Sequence, residues 1–302
     1  MSFLDPSALA RALGYAGALV CIGAIPVRTL LRRSWADEPD AEALGAAQRR
    51  LTNITFAASL LLPLAALVAL RAQALQLVDE GERLGAAHYG LALASGWGAA
   101  WRAQAAAACL AVVAWLPRRG QPRLGTRLAP IAALALAATL PLTGHFRVVP
   151  SGVLLGVLTG ALHLIGGGLW LGTLALIVSV GWMGGDEGRG SRVTRLIVAF
   201  TPVALTGAAI TGLSGVATAW QTVGSLSAIT GTPYGRTLLL KLGCLVGVAA
   251  LGAYNWRVVQ PRLAAGTGEG LLHRSALTEL TLGAILLIIT ALLVVLPAPG
   301  LD

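Results

Sequence analysis

Charged residues and cysteine are scarce in this chain, and each deficit excludes a class of protein. Only 12% of the 302 residues are charged, against roughly 25% in an average soluble domain. A chain of this composition cannot cover a water-exposed surface, which excludes a sizeable soluble domain as well as a disordered chain. The three cysteines lie inside apolar stretches, and an odd number of such thiols excludes a disulfide framework.

Long apolar stretches take up most of the chain instead. Apolar residues make up 56% of the sequence, and about 20 of them in a row suffice to cross a bilayer as a helix. Eight such stretches are separated by polar breaks too short to hold a soluble domain. They are residues 8–31, 51–72, 95–116, 128–149, 152–182, 193–223, 236–259 and 275–296. The sequence therefore predicts an all-α, polytopic transmembrane helix bundle of eight spans, forming one domain over residues 1–302.

The positive charges indicate how the helices are oriented. The net charge of +9 comes almost entirely from arginines scattered between the apolar stretches, which favours anchoring at a lipid bilayer over binding to nucleic acid. Fourteen of the seventeen basic residues counted in the connections fall in the first, third, fifth and seventh connections. By the positive-inside rule these connections are cytoplasmic, and both termini lie outside. The first stretch lacks a basic leader and is followed by Arg28, Arg32 and Arg33, which predicts a retained span rather than a signal peptide.

A few ionisable residues lie inside the predicted spans, where they are costly and generally face the bundle interior or a cavity. They are Arg102, His145, His163, Lys241 and Glu279. At about 1.5 Å per helical residue, His163 lies about 16 Å from the outer end of its span, close to the midplane. His145, Lys241 and Arg102 lie nearer the outer end, so a site made by them opens to the outside. Glu279 is expected to form a local ion pair with Arg274, and Arg102 to pair with lipid phosphate.

The spacing around His163 predicts that its imidazole faces another helix or a bound group. Gly156, Gly160, His163, Gly167 and Trp170 fall on one stripe of a helix. Two interpretations remain open: a histidine that hydrogen-bonds to a neighbouring helix, or a ligand of a metal or of haem iron.

Neighbouring spans add further candidates. His145 ends the fourth span, which a short connection joins to the fifth, so the two imidazoles would lie on touching helices and could bind one metal ion. Lys241 and Cys244 share a stripe on the seventh span, although a lysine near the interface can also extend its ammonium group outward. On the same span Gly243 and Gly247, four residues apart, predict close helix packing.

The segment 142–263 resembles the copper resistance protein D (CopD) family in the order and spacing of several short motifs. These are Gly144-His145, Leu162-His163-Leu164, Leu169-Trp170-Leu171-Gly172, Thr232-Pro233-Tyr234-Gly235-Arg236, Leu240-Lys241-Leu242 and Ala253-Tyr254-Asn255. The resemblance implies a multi-pass protein of the bacterial inner membrane that moves copper from the periplasm toward the cytoplasm. It also raises a periplasmic copper-binding protein as a partner, and it makes the outer side, with both termini, periplasmic.

Two hypotheses about the site follow, one favoured and one alternative. The favoured hypothesis is a copper site made by His145, His163 and Cys244, with Lys241 as a secondary ligand and Gly160, Gly167 and Trp170 lining it. Because the chain has only Met1 and Met183, it lacks a series of thioethers for Cu(I), and imidazole and thiolate would have to bind the ion.

The alternative is an electron-transferring haem b protein in which His163 pairs with His145 or Lys241 as axial ligands. Gly166, Gly167 and Gly168 would then make room for the macrocycle. A non-catalytic subunit whose polar residues only join helices is a third reading. The sequence contains no phosphate-binding glycine loop, nucleophile elbow or carboxylate pair, so we expect no enzymatic activity.

Overall fold

The protein is a bundle of helices. The computed structural model describes residues 6–35, 41–117, 122–144, 152–181, 189–223, 225–264, 267–297 and 299, and within these residues it contains helices and turns but no strand. Thirteen α-helices are described: α1 Pro6–Ser34, α2 Ala41–Ser59, α3 Leu61–Leu75, α4 Ala86–Ala94, α5 Gly96–Trp115, α6 Pro122–Thr139, α7 Val153–Gly167, α8 Thr173–Gly181, α9 Arg189–Val223, α10 Leu226–Gly231, α11 Pro233–Tyr254, α12 Gln260–Ala264 and α13 Glu269–Leu293. A 3-10 turn covers Pro141–Thr143, and two π-helical turns cover Gly168–Gly172 and Asn255–Val259.

Seven helical segments of the described chain are long and apolar enough to cross a membrane. They are Pro6–Ser34, Glu42–Leu75, Leu124–Thr143, Val153–Gly181, Arg192–Val223, Pro233–Leu263 and Gly270–Val295. Two of them run through a π turn: the first π turn joins α7 to α8, and the second joins α11 to α12. The prediction of an all-helical, multi-pass membrane protein is therefore confirmed, with seven candidate spans among the described residues.

The stretch predicted as the third of eight spans, residues 95–116, forms the helix α5. Its 20 residues give a length of about 30 Å, but it is rich in alanine and carries Arg102 and Gln104, so it is less apolar than the seven segments above. Trp97 at its start lines a cavity with Arg11 and Val295. Trp115 at its end packs under the guanidinium of Arg28, 5.1 Å from the ring centre. Arg11 and Arg28 lie about 26 Å apart along α1, so α5 runs between the two ends of the bundle.

The helix ends group as the alternating arginines predict. The cavity brings together the start of α1, the end of α3, the start of α5, the 3-10 turn and the residues after α13; we call this side the cavity end. At the opposite end, Arg28 meets Trp115, and the Arg192 guanidinium lies 5.9 Å from the ring centre of Trp35. All residues at the cavity end belong to predicted outer ends, and all residues in these two cation–π pairs belong to predicted inner ends. Which side faces the periplasm stays a prediction.

Helix α1 lies at the centre of the bundle because its small residues let other helices approach closely. It packs against α2, α3, α6, α8, α9, α13 and the first π turn. Gly23 of α1 touches the backbone of Gly172 and Thr173, and a Cβ at Gly172 would overlap the carbonyl of Leu19. The π turn is therefore in backbone contact with the middle of α1.

Helix α11 is packed more loosely than its sequence predicts. A Cβ added at Gly243 or Gly247 would meet no atom within 4 Å, and Leu240, Val246 and Trp256 are exposed on the same segment. The prediction that the glycine row of span seven marks close helix packing is wrong for these two residues, because the row faces outward.

Candidate functional site

His163 faces a neighbouring helix, as its glycine stripe predicts. It lies on α7, ten residues from the start of the span at the cavity end, or about 15 Å deep. Its Nδ1 atom lies 3.2 Å from Ser214 Oγ on α9, and the backbone of Thr211 also interacts with the ring. A Cβ at Gly215 would lie 3.2 Å from the ring carbon Cε1. The ring is thus held against α9 by a hydrogen bond and by close packing.

The surroundings of Ser214 favour one tautomer of His163. Ser214 Oγ lies 2.6 Å from the carbonyl of Ile210 and 3.2 Å from the carbonyl of Thr211, and when its single hydrogen points to either of them, the oxygen accepts from His163. The histidine proton is on Nδ1 in that arrangement. The lone pair of the neutral ring is then on Nε2, which is the arrangement of a metal-ligating histidine whose other nitrogen is held by a neighbour.

Lys241 lies at a similar depth to His163 on another helix. It is half-buried on α11, eight residues from the start of its span, and its ammonium group is within electrostatic range of the His163 ring. A positive charge at this place opposes the binding of a second cation unless the lysine loses its proton or an anionic ligand accompanies the ion.

Cys244 points away from this pair toward α13. Its Sγ lies 3.7 Å from the carbonyl of Leu282. His145, the other predicted ligand, lies outside the described residues. The residue before it, Gly144, is in the wall of the cavity. Among the residues that the structure covers, no group of three or more histidine, cysteine, aspartate or glutamate side chains could hold a metal ion. The site of His145, His163 and Cys244 therefore stays a prediction.

The glycines beside His163 serve helix packing. A Cβ at Gly166 would meet Gly207 and Thr211 of α9, and one at Gly167 would lie 3.0 Å from Leu19 Cδ2 of α1. Gly168 lies against Ile22 of α1, and Gly160 is buried in α7. Because α1 and α9 fill this space, the glycine run provides close packing of three helices rather than room for a macrocycle.

Trp170 belongs to a second polar group, nearer the opposite end of the bundle. Its Nε1 donates to Glu279 Oε1 at 2.8 Å. Asn255 Nδ2 donates to Glu279 Oε2 at 3.4 Å, and the hydroxyl of Ser275 donates to Asn255 Oδ1. We call Trp170, Asn255, Ser275 and Glu279 the inner cluster.

The predicted ion pair of Glu279 with Arg274 is wrong. Among the described residues Glu279 forms no salt bridge with Arg274, and its carboxyl group accepts from Trp170 and Asn255 instead. Residues five positions apart are rotated by about 140° around a helix, so these two side chains point to different faces. The Nη1 atom of Arg102 donates to the carbonyl of Leu93 at 2.7 Å, and the pairing of Arg102 with lipid phosphate stays a prediction.

The sequence analysis also missed the polar residues that line the cavity at the cavity end, whose volume is about 250 Å³. Arg11 donates to Thr143, with Nη1 2.8 Å from Oγ1, and Thr143 Oγ1 donates to Gln104 Oε1 at 2.9 Å. Gln73 and Gln76 complete the polar wall. A charged residue near the start of a span is ordinarily interpreted as an interface residue. The contact between Arg11 and Thr143 could not be predicted because the two residues are 132 positions apart in the sequence.

Comparison with known proteins accounts for most of the chain. Residues 4–154 match the family described as "Copper resistance protein D-like, N-terminal domain", and residues 194–293 match "Copper resistance protein D". The "Copper transport protein CutJ" of Bacillus subtilis (strain 168) is 29% identical over 209 residues, which cover 67% of this chain. The chain spans only 37% of the length of that relative. No solved structure matches the chain. The matched segments include the motifs at 144–145 and 232–255, whereas those at 162–172 lie between the two matches. The predicted family is confirmed: the chain belongs to the copper resistance protein D family.

Proposed function

We propose that this protein is a transporter, not an enzyme, that moves copper across the bacterial inner membrane from the periplasm toward the cytoplasm. The observation that carries the proposal is His163: a half-buried imidazole at about mid-depth of the membrane, with Nδ1 3.2 Å from Ser214 Oγ. This contact holds one ring nitrogen and leaves Nε2 as the nitrogen that could bind an ion. Imidazole nitrogen and thiolate are ligands that copper accepts readily. Copper handling itself follows from membership of the family.

The outer cavity supplies an entrance in this proposal. It is a polar space at the cavity end, with Gly144 in its wall, and His145 follows directly. Copper would pass from the cavity to His145 and then to His163, with Cys244 as a deeper ligand on α11. A periplasmic copper-binding protein would deliver the ion at this end.

The orientation is part of the same proposal. We place eight spans in the membrane, with α5 as the additional one and both termini in the periplasm. The crossing of α5 from one side to the other is supported by its ends: α5 begins beside Arg11 at the cavity end and ends beside Arg28 at the opposite end. The arginine-rich connections lie at the latter end, which the positive-inside rule assigns to the cytoplasm.

Replacement of His163 tests the copper site. The His163→Leu protein should insert normally, because leucine is favourable in a membrane-spanning helix. It should no longer retain copper after purification, and vesicles reconstituted with it should no longer take up copper. The measurements are metal analysis of the purified protein and uptake of Cu(I) into proteoliposomes.

Two companion variants make the comparison specific. His88→Leu makes the same substitution outside the bundle, where the ring bonds to Glu82 and Gly85, and it should keep full copper content. Ser214→Ala leaves the imidazole in place but frees its orientation, so it should weaken copper retention about 10- to 100-fold, as expected for the loss of a partner that orients a metal ligand. Full copper content and transport in His163→Leu would contradict the proposal.

The same samples test the haem alternative. Lys241 and His163, two of its predicted axial ligands, lie within electrostatic range of each other, whereas the filled space around Gly166, Gly167 and Gly168 leaves no room for a macrocycle there. We expect a reduced-minus-oxidised absorption spectrum without a Soret or α band. A haem spectrum that disappears in His163→Leu would replace copper transport by electron transfer.

A further inference from the structure

Glu279 is an acidic residue well inside a membrane span that the proposed copper path does not use. It lies nine residues after the start of the last span, or about 13 Å from the end opposite the cavity. Two different helical segments donate to it, one to each carboxyl oxygen: Trp170 at 2.8 Å and Asn255 at 3.4 Å. The carboxyl group is therefore held in one position, and only by uncharged donors.

No cation neutralises this carboxyl group within the described part of the chain. The titratable or charged side chains on the packed elements near its depth are Cys21 and Arg28 of α1, Lys241, Cys244 and Tyr254 of α11, and Arg257 of the second π turn. The first π turn and α8 contribute none, and on α13 itself the nearest are His273 and Arg274. None of them forms a salt bridge with Glu279. An unpaired carboxylate in the interior of a membrane is costly, so the group is stable only with a cation bound.

The orientation of Asn255 indicates that this cation is a proton. Ser275 donates to the amide oxygen of Asn255, which turns the amide NH2 group toward Glu279. Metal ions need several lone pairs around them, but this cluster presents two N–H donors to the carboxyl group. Such donors also stabilise the carboxylate during the interval after a proton leaves. The cluster thus accommodates both states of the group.

The backbone at the cluster is irregular on two sides. Trp170 lies in the first π turn, and Asn255 begins the second. π-helical turns are rare and frequently occur at functional sites. Both π turns of the described chain supply a donor to the same carboxyl group. A role of Glu279 in packing alone does not require such an arrangement.

We infer that Glu279 is a proton-exchange site that couples copper movement to the opposite movement of protons. As one Cu(I) ion moves inward past the inner cluster, the O–H bond of Glu279 breaks, the proton leaves toward water at the cavity end, and the carboxylate balances the charge of the ion. When Cu(I) leaves to the cytoplasm, Glu279 takes up a proton from water at the cytoplasmic end. One positive charge replaces another, and no electron is transferred. This inference rests on the proposed copper transport.

Proteoliposomes with a pH-sensitive dye outside and a Cu(I) chelator inside test the coupling. In the wild type, proton movement should accompany copper uptake and stop when Cu(I) is withheld. The Glu279→Gln protein should retain copper on His163. Its copper-dependent proton signal should fall to that of protein-free vesicles, because an amide cannot release a proton in the pH range of the assay. Glu82→Gln, at a carboxylate that pairs with His88 outside the bundle, should keep the full signal.

Two further measurements separate the possible failures. The infrared band of a protonated carboxylic acid should be present in the wild type and absent in Glu279→Gln, whether or not copper is added. Trp170→Phe keeps the aromatic ring but removes one donor, and it should shift the pH dependence of uptake without loss of copper binding. Wild-type uptake of copper without any proton movement would overturn the inference while leaving copper transport intact, and so would an undiminished proton signal in Glu279→Gln. Absence of copper uptake in the wild type would overturn the proposed function first.

Discussion

The contact between the first π turn and α1 makes Gly172 the most sensitive glycine of the bundle. A Cβ at this position would overlap the carbonyl of Leu19, and Gly23, one turn further along the same face of α1, also contacts the backbone of Gly172. Both opposing groups are backbone atoms, so no side chain can rotate away. Gly172→Ala therefore forces α1 and the π turn apart.

The size of the effect follows from that geometry. An unstrained Cβ contact needs about 3.4 Å, so the two segments must separate by about 1 Å or more at the centre of α1. Overpacking of a well-packed interior costs roughly 1–3 kcal/mol, and a contact with rigid backbone belongs at the upper end. Alanine regains up to about 1 kcal/mol through its helix propensity. We expect a net loss of about 2 kcal/mol, or roughly 4–8 °C in melting temperature.

Thermal unfolding of the purified protein in detergent measures this loss, and α11 and α9 offer matched controls. Gly243→Ala and Gly212→Ala introduce the same methyl group where no atom lies within 4 Å, so they should keep the melting temperature or raise it by up to about 2–4 °C. If Gly172→Ala melted together with these controls, the close approach of the π turn to α1 would be refuted. Trp170 is two residues away, so the destabilised variant should also weaken the hydrogen bond to Glu279.

Two other predictions concern charge and orientation. Lys241→Met should increase the copper retained by the purified protein, because it removes a positive charge that acts on His163; a loss of copper would instead indicate that Lys241 is a ligand. A reporter fused after Asp302, which lies outside the described residues, should give a periplasmic signal, and a cytoplasmic signal would contradict the eight-span orientation.

The fold was largely predictable from the sequence because membrane helices must satisfy their backbone internally and be apolar over a fixed length. The span around His163 and the grouping of helix ends both follow from that rule. The weak point was α5, whose alanines and Gln104 make it less apolar than the other spans. The π turns could not be foreseen, since their residues, such as Leu169 and Val258, fit an ordinary helix equally well.

The candidate site was predictable only along single helices. Helical spacing correctly predicts that His163 faces a neighbour, but the neighbour, Ser214, is one of many small polar residues in the chain and carries no signal of its own. The same limit explains Glu279. Its partners, Trp170 and Asn255, are 109 and 24 residues away in sequence, so the only charge in view was Arg274 on the same helix. The rotation of about 140° between residues five positions apart on a helix already excludes a pair of Glu279 with Arg274. With that pair excluded, the sequence offers no partner for the Glu279 carboxyl group.

The segment that carries both His163 and Trp170 provides a physical link between the proposed copper site and the inner cluster. The two residues are seven positions apart, about 10 Å along one helix face, and the π turn that contains Trp170 begins only five residues after His163. A π turn holds one more residue per turn than the α-helix, so its conversion to regular helix would rotate Trp170 relative to His163 and lengthen its bond to Glu279. The backbone contact of Gly172 with α1 opposes that conversion, because it fixes the far side of the turn. In the proposed transport cycle, copper binding at His163 can therefore act on Glu279 through a single helical segment only if this contact loosens. On that proposal, the interface with α1 sets how tightly the two sites are coupled.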